Sequence, residues 1–321
     1  METLTKNRIG GLHHITVLAD DAKRNVEFYA GVLGLRLIKK TVNFDDPGVY
    51  HLYYGDQTGS PGTILTFFPY RGLPPGQRGI GQAVALSFSL PSSSLAFWEK
   101  RLKRLDIPFD KPVERFNRET VIGLEDTDGL KLELVFNESD KREGHAGTHI
   151  PAEHAIRGFF GTELWVSDYT STAGLLTEVM EHRLIAEQNN RMRFAVENAP
   201  GKYVDVLVPP DTGWGKNGNG SIHHVAFRTP GKLTQNLIWE KLRSEGMHPT
   251  PVIDRQYFRS VYFREPGGIL FEIATDDPGF LVDESAETLG QNLMLPPQHE
   301  SRRQELEELL PKLDVDLSRY Y

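Results

Sequence analysis

The dipeptide His13-His14 near the start of the chain recurs as His223-His224 about two thirds of the way along. The frames match: Gly-Leu-His-His-Ile-Thr-Val spans residues 11–17, and Ser-Ile-His-His-Val-Ala-Phe spans residues 221–227. In both, a glycine stands just ahead and an alternating apolar stretch with the period of a β-strand follows. This repetition constrains the chain to an internally repeated fold, in which two distant strands deliver imidazoles to one place.

A period of roughly 60 to 70 residues divides the chain into four copies of one plan. Module 1, residues 9–70, opens with a strand at 12–18 and continues with a helix over 21–33. Val26, Tyr29, Val32 and Leu33 share a face of that helix, and Gly34 is placed to stop it. Strands at 36–42, 49–54 and 63–68 complete the module. Module 2, residues 80–137, has a strand at 83–90, then a helix with Leu95, Trp98, Leu102 and Leu105 on one face. Its last strands, at 120–125 and 130–136, flank the turn dipeptide Asp128-Gly129. A polar segment, 138–156, with Gly144, Gly147 and Pro151, reads as a connector.

Module 3, residues 157–210, predicts a strand at 162–166, a helix at 170–180 and strands at 192–197 and 203–208. A glycine-rich loop over 209–220 leads to module 4, residues 219–275. There the strand at 223–228 precedes a helix over 233–246 and strands at 260–264 and 269–274. The expected fold class is α+β: four βαβββ modules followed by a tail, 276–321. In the tail Leu306, Leu309, Leu310 and Leu313 suggest an amphipathic helix laid on the body or on a second copy in a homo-oligomer.

Composition narrows the chemistry. The net charge is −8 and the basic residues are scattered, which argues against a nucleic-acid partner. Neither an apolar leader nor a run long enough to span a bilayer is present, so a cytoplasmic protein without a membrane partner is expected. There is no cysteine, which excludes zinc–thiolate sites, iron–sulfur clusters and thiol nucleophiles. Any metal must be held by His, Asp or Glu.

The His-His-[Ile/Val] module opening, together with the closing run Gly-Ile-Leu-Phe-Glu-Ile at 268–273, resembles the vicinal oxygen chelate superfamily. That group includes glyoxalases, bleomycin-resistance proteins and extradiol ring-cleaving dioxygenases. The runs at 11–16, 50–54, 61–63 and 271–280 look most like its hydroquinone-cleaving dioxygenases. The resemblance implies that modules pair into cup-like sheets whose concave faces collect ligands from first and last strands.

Comparison of the modules then selects the pairing. At the second-histidine position stand His14, Ala85, Gly161 and His224; at the last-strand position stand Thr66 or Phe67, Glu133, Asp205 and Glu272. Modules 1 and 4 alone supply imidazoles, so they should pair around one metal held by His14, His224 and Glu272. Modules 2 and 3 should pair structurally, with Glu133 and Asp205 in structural roles. Two histidines and one carboxylate with open positions are the donor set of non-haem Fe(II) oxygen chemistry, and Mn(II) also fits.

Adjacent strand residues point to opposite faces, so His13 and His223 reach the same site only through a local irregularity. The resemblance places them, with Arg255 and Tyr262, in the pocket as catalytic residues. It implies a small aromatic diol, a hydroquinone or a catechol, and O2 as substrates. The rival readings are a metal-dependent glyoxalase or isomerase, which commonly has a fourth protein ligand, and a non-catalytic small-molecule-binding resistance protein. His51, His145, His149, His154, His182, His248 and His299 share no recurrent frame and read as surface or connector residues.

Overall fold

A computed structural model describes residues 8–145, 149–197 and 199–321. Residues 146–148, which include Gly147 of the expected connector, lie outside the described residues. The first module comprises β1 (Leu12–Ala19), α1 (Ala22–Val26), β2 (Arg36–Val42), β3 (Tyr50–Gly55) and β4 (Ile64–Pro69). The second comprises β5 (Gln82–Pro91), α2 (Leu95–Arg104), β6 (Val113–Arg115), β7 (Glu119–Glu125) and β8 (Lys131–Asn137). In the third are β9 (Phe159–Trp165), α3 (Thr170–Gly174), β10 (Arg183–Gln188), β11 (Arg191–Ala195) and β12 (Tyr203–Leu207). The fourth has β13 (Ile222–Thr229), α4 (Lys232–Ser244), β14 (Ile253–Asp254), β15 (Phe258–Arg264) and β16 (Leu270–Pro278).

Modules 1 and 4 build one eight-stranded sheet, in the order β14-β15-β16-β13-β1-β4-β3-β2. Modules 2 and 3 build the other, β10-β11-β12-β9-β5-β8-β7-β6. Within each module the first and last strands run parallel, and the two modules of a sheet join antiparallel through their first strands. The pairing of modules inferred from the histidines is therefore the pairing of the fold.

Register makes the four modules comparable residue by residue. Two positions beyond the second-histidine site, Thr16 pairs with Thr66, Ser87 with Glu133, Glu163 with Asp205 and Ala226 with Glu272. Thr66 thus holds in module 1 the place that Glu272 holds in module 4. The junctions also share a distortion. Leu12 and His14 face Phe227 and Ala226, leaving His13 as an extra residue; Thr16 and Val17 face His224 and Ile222, leaving His223 extra. The second sheet repeats both bulges, at Val84 and Phe160.

The helix of module 1 differs from expectation after Val26. It widens into a π-helical turn over Glu27–Val32, and Phe28, Tyr29, Ala30, Gly31 and Val32 are all buried instead of one stripe. The cause is tertiary: Arg101 of α2 donates to the Gly31 and Val32 carbonyls, and the Tyr320 ring packs where a Gly31 side chain would stand. The strand β10 was not expected from its sequence, because it is an edge strand with Leu184 and Ile185 exposed and no alternation of burial.

In the tail, α5 (Arg303–Leu309) buries Leu306, and Leu310 just beyond it is buried too, while Leu309 faces outward. Tyr50 of β3 donates to the Pro311 carbonyl, so the tail lies on its own chain. Among the described residues no helix is long and apolar enough to cross a membrane.

Candidate metal centre

The bulges solve the problem of two adjacent histidines. An extra residue in one strand re-aims side chains, and here it swings each leading imidazole toward its neighbour. His13 Nδ1 lies 2.9 Å from His14 Nδ1, and His223 Nδ1 lies 2.8 Å from His224 Nδ1. The second member of each doublet then turns its Nε2 inward. His14 Nε2 and His224 Nε2 are 3.1 Å apart, and they stand 3.2 Å and 3.0 Å from Glu272 Oε2. Among the described residues this is the one group of three His, Asp or Glu able to hold a metal ion.

Two observations test whether a metal fits. Three donors on one face of an octahedron with bonds of about 2.1 Å stand about 3.0 Å apart, close to the triangle found. Moreover, Glu272 is fully buried and neither of its oxygens has a hydrogen-bond partner of acceptable geometry, despite the two close imidazoles. Lone pairs that converge without a proton between them suit a cation. Burial would raise the Glu272 carboxyl; only positive charge on the His14 and His224 imidazoles would hold it well below the usual range. His224 is lowered, chiefly by burial.

A cavity of about 340 Å³ opens beside the triangle. Of the sequence-predicted residues, His14, His223, His224, Arg255 and Tyr262 line it. Arg255 lies 5.6 Å from the Tyr262 ring and donates to Asp45 across the cavity rim at 3.1 Å. Tyr262 pairs with Glu272 across β15 and β16, and its ring stands edge-on to His224 at 5.6 Å. Its phenol is pushed up, first by burial and then by the Glu272 charge, so it stays protonated.

His13 departs from the expectation of a pocket-lining residue. It is buried and lines a separate, smaller hollow, because its bulge is screened from the main cavity by the Phe258 ring, 5.0 Å away. Burial, then the His14 charge, drives His13 well below the ordinary imidazole range; burial, then His224, pushes His223 down to about 4. Both are neutral and able to accept a hydrogen bond at Nδ1.

His51 was misread as a surface or connector residue. It lines the cavity at the centre of a hydrogen-bonded chain: Tyr53 Oη to His51 Nδ1 at 2.8 Å, His51 Nε2 to Thr66 Oγ1 at 2.9 Å, Thr66 Oγ1 to Thr16 Oγ1 at 2.8 Å. The side chain equivalent to Glu272 is thereby tied into the wall. The alternation of His51 and Tyr53 along β3, with Tyr53 paired to Thr66, is the signal that would have found it. His182 is likewise buried, not exposed.

The family model of the Glyoxalase/Bleomycin resistance protein/Dioxygenase superfamily matches residues 11–134 and 158–273. The chain belongs to this superfamily. Within it, the chain is 44% identical over 307 residues to a provisionally named ring-cleaving dioxygenase, MhqO, of Bacillus subtilis (strain 168), covering 94% of this chain and 96% of the relative. It is 34% identical over 309 residues to the chlorohydroquinone/hydroquinone 1,2-dioxygenase of Sphingobium indicum, covering 93% and 95%. A crystal structure of a provisionally assigned dioxygenase from Bacillus subtilis superposes with a TM-score of 0.92 at 41% identity, covering 97% of this chain and 99% of that one. Glyoxalase I from Zea mays, at 13% identity and a TM-score of 0.61, covers 83% of this chain and 92% of its own and shares the fold. The superfamily match stops at residue 273, so the tail lies beyond it.

Proposed function

We propose that the protein is a non-haem Fe(II) dioxygenase that opens the ring of a hydroquinone-type aromatic diol and inserts both atoms of O2. The reading is carried by the His14–His224–Glu272 triangle whose fourth equivalent position is occupied by Thr66, already engaged by His51 and Thr16. On an octahedral ion three protein donors leave three positions for substrate and gas, where a fourth would leave two. The chlorohydroquinone/hydroquinone relative supports the substrate class. Fe(II), with Mn(II) as the alternative the same donors accept, would activate a bound phenol and give electrons a path between ring and O2.

The chain's own residues prepare that chemistry. With Nε2 of His14 and His224 committed inward, their Nδ1–H groups donate to the neutral Nδ1 of His13 and His223, which fixes tautomer and ring plane. Arg255 supplies a fixed positive charge in the cavity wall, suited to a phenolate oxygen, and Tyr262 supplies a protonated phenol as donor. His223 faces the cavity, and with its Nδ1 engaged by His224 its Nε2–H is the group proposed to donate to a phenolate oxygen. Leu18, Phe44, Phe68 and Leu270 give apolar walls against which a ring packs and from which water is excluded.

Oxygen-electrode assays of the iron-loaded protein against hydroquinones and catechols test the reading: uptake matched by ring-opened product is expected, and none with any diol refutes it. Iron analysis of His14→Ala and Glu272→Ala should show loss of metal; full retention in either removes that residue from the ligand set.

A further inference from the structure

Phe258, at the start of β15, is a wall common to two cavities. One is the cavity beside the metal triangle. The other measures about 210 Å³ and reaches the surface at Leu281, which is half-exposed. Its apolar lining comes from Pro61, Ile64, Tyr257, Phe280 and Leu281. The charged group there is already used: the Asp276 carboxylate accepts from Arg228 at 2.9 and 2.6 Å. His13 turns Nδ1 to His14, and the Thr58 and Ser60 amides donate to Asp56. A polar ligand would find no free ion to pair with. A small apolar molecule can lie against the apolar walls without displacing a bonded charge, as gases and hydrocarbons do in apolar protein cavities.

The second hollow is also close to the chemistry. The Phe258 ring lies 4.8 Å from the ring of His14, a proposed metal ligand, and 5.0 Å from that of His13. One aromatic side chain therefore separates a surface-connected hollow of mixed polar and apolar lining from the cavity where a ring would bind. A gas admitted by a second door would meet the metal with the substrate already in place.

We propose that this hollow is the entry route and holding site for dioxygen, with Phe258 as the partition through which the gas passes. The proposal rests on the dioxygenase reading. Phe280 and Leu281, which close the hollow, come from the tail beyond the superfamily match, so the door is built by a segment outside the matched region.

Two experiments test it. Crystals of the iron-loaded protein pressurised with xenon, an apolar atom that stands in for O2, should show xenon beside Phe258. Leu281→Trp should fill the outer hollow without touching the main cavity. In oxygen-electrode kinetics this variant should lower kcat/KM for O2 about tenfold, while KM for hydroquinone and kcat at saturating O2 keep their wild-type values. Wild-type turnover with unchanged kcat/KM for O2 in Leu281→Trp overturns the route and leaves the dioxygenase reading standing. Xenon absent from the hollow overturns the route without reference to turnover. A wild type that consumes no O2 with any diol overturns the dioxygenase reading, and the identity of the gas with it.

Discussion

Replacing Glu272 by methionine should make the metal-free protein more stable and abolish its stabilisation by metal. Glu272 is fully buried in β16 with both oxygens lacking well-directed donors. A buried polar group left in that condition costs about 1–3 kcal/mol, and more when charged. Methionine has similar length and no polar atom to strand, so the metal-free variant should gain about 1–3 kcal/mol over metal-free wild type. Metal at a hundredfold excess over its Kd should then raise wild type by about 2.7 kcal/mol and leave the variant where it was. Calorimetry after chelation, followed by anaerobic titration with Fe(II), measures both. The opposite sign is the informative refutation. If His14 and His224 were cations in a structural ion pair with Glu272, at the observed 3.2 and 3.0 Å, removing the carboxylate would cost about 3–5 kcal/mol. A destabilised metal-free Glu272→Met would therefore mean that the triangle exists for stability and not for a metal.

Thr66→Glu places a carboxylate at the position equivalent to Glu272; it should slow metal loss to a chelator and suppress O2 uptake, and unaltered metal retention would refute the equivalence. Lys39 is fully buried with Nζ 2.6 Å from both Asp283 and Glu284, so Lys39→Met should cost about 3–5 kcal/mol in urea unfolding, with part recovered on adding Glu284→Gln; a loss under about 1 kcal/mol would contradict this. His182, whose Nδ1 lies 2.7 Å from the Met180 carbonyl, is pushed down to about 4 by burial. Its folded pKa lies below the unfolded value near 6.5, so the folded state binds fewer protons; its contribution, up to about 3 kcal/mol, is present above pH about 6.5 and lost as pH falls through about 4. His182→Asn should flatten that part of the stability–pH profile, and an unchanged slope would show that another group titrates there.

The pairing of modules and the three proposed ligands were legible because they depend on what a sequence states directly: strand alternation, a doublet repeated in one frame, and a count of residues from a turn glycine to Glu272. The orientation of His13 and His223 was not, because a bulge is a mismatch between two strands and neither strand alone records it. His51 was missed for a related reason. Its partners Thr66 and Thr16 become neighbours only through the registers of β3, β4 and β1, and no second copy of its frame exists to draw attention to it. The π-helical turn of module 1 depends on Arg101 and Tyr320, roughly 70 and nearly 300 residues away, and lies beyond any local pattern.

The second sheet explains what the last-strand carboxylates have in common. It carries the same two bulges, yet its doublets read Val84-Ala85 and Phe160-Gly161, so no imidazole faces Glu133 or Asp205. Guanidinium groups stand there instead. Arg115 bonds Glu133 at 2.9 Å and Glu119 at 2.6 Å; Arg193 bonds Asp205 at 2.7 Å and Glu119 at 2.8 Å; Arg191 bonds Asp205 at 2.8 Å and also Glu163. With Lys131 near Glu163, four basic groups meet four carboxylates, and the charge of this hollow is balanced within the protein. A carboxylate at the last-strand position is therefore met in modules 2 and 3 by arginine and, in module 4, by two imidazoles with room for a cation. Module 1 needs neither, because Thr66 brings a hydroxyl that His51 and Thr16 satisfy. Histidines introduced at Ala85 and Gly161 would not by themselves create a second metal centre, since Glu133 and Asp205 already hold their counter-charges. That a single candidate metal site stands among the described residues of this four-module chain thus depends as much on the arginines of the second sheet as on the histidines of the first.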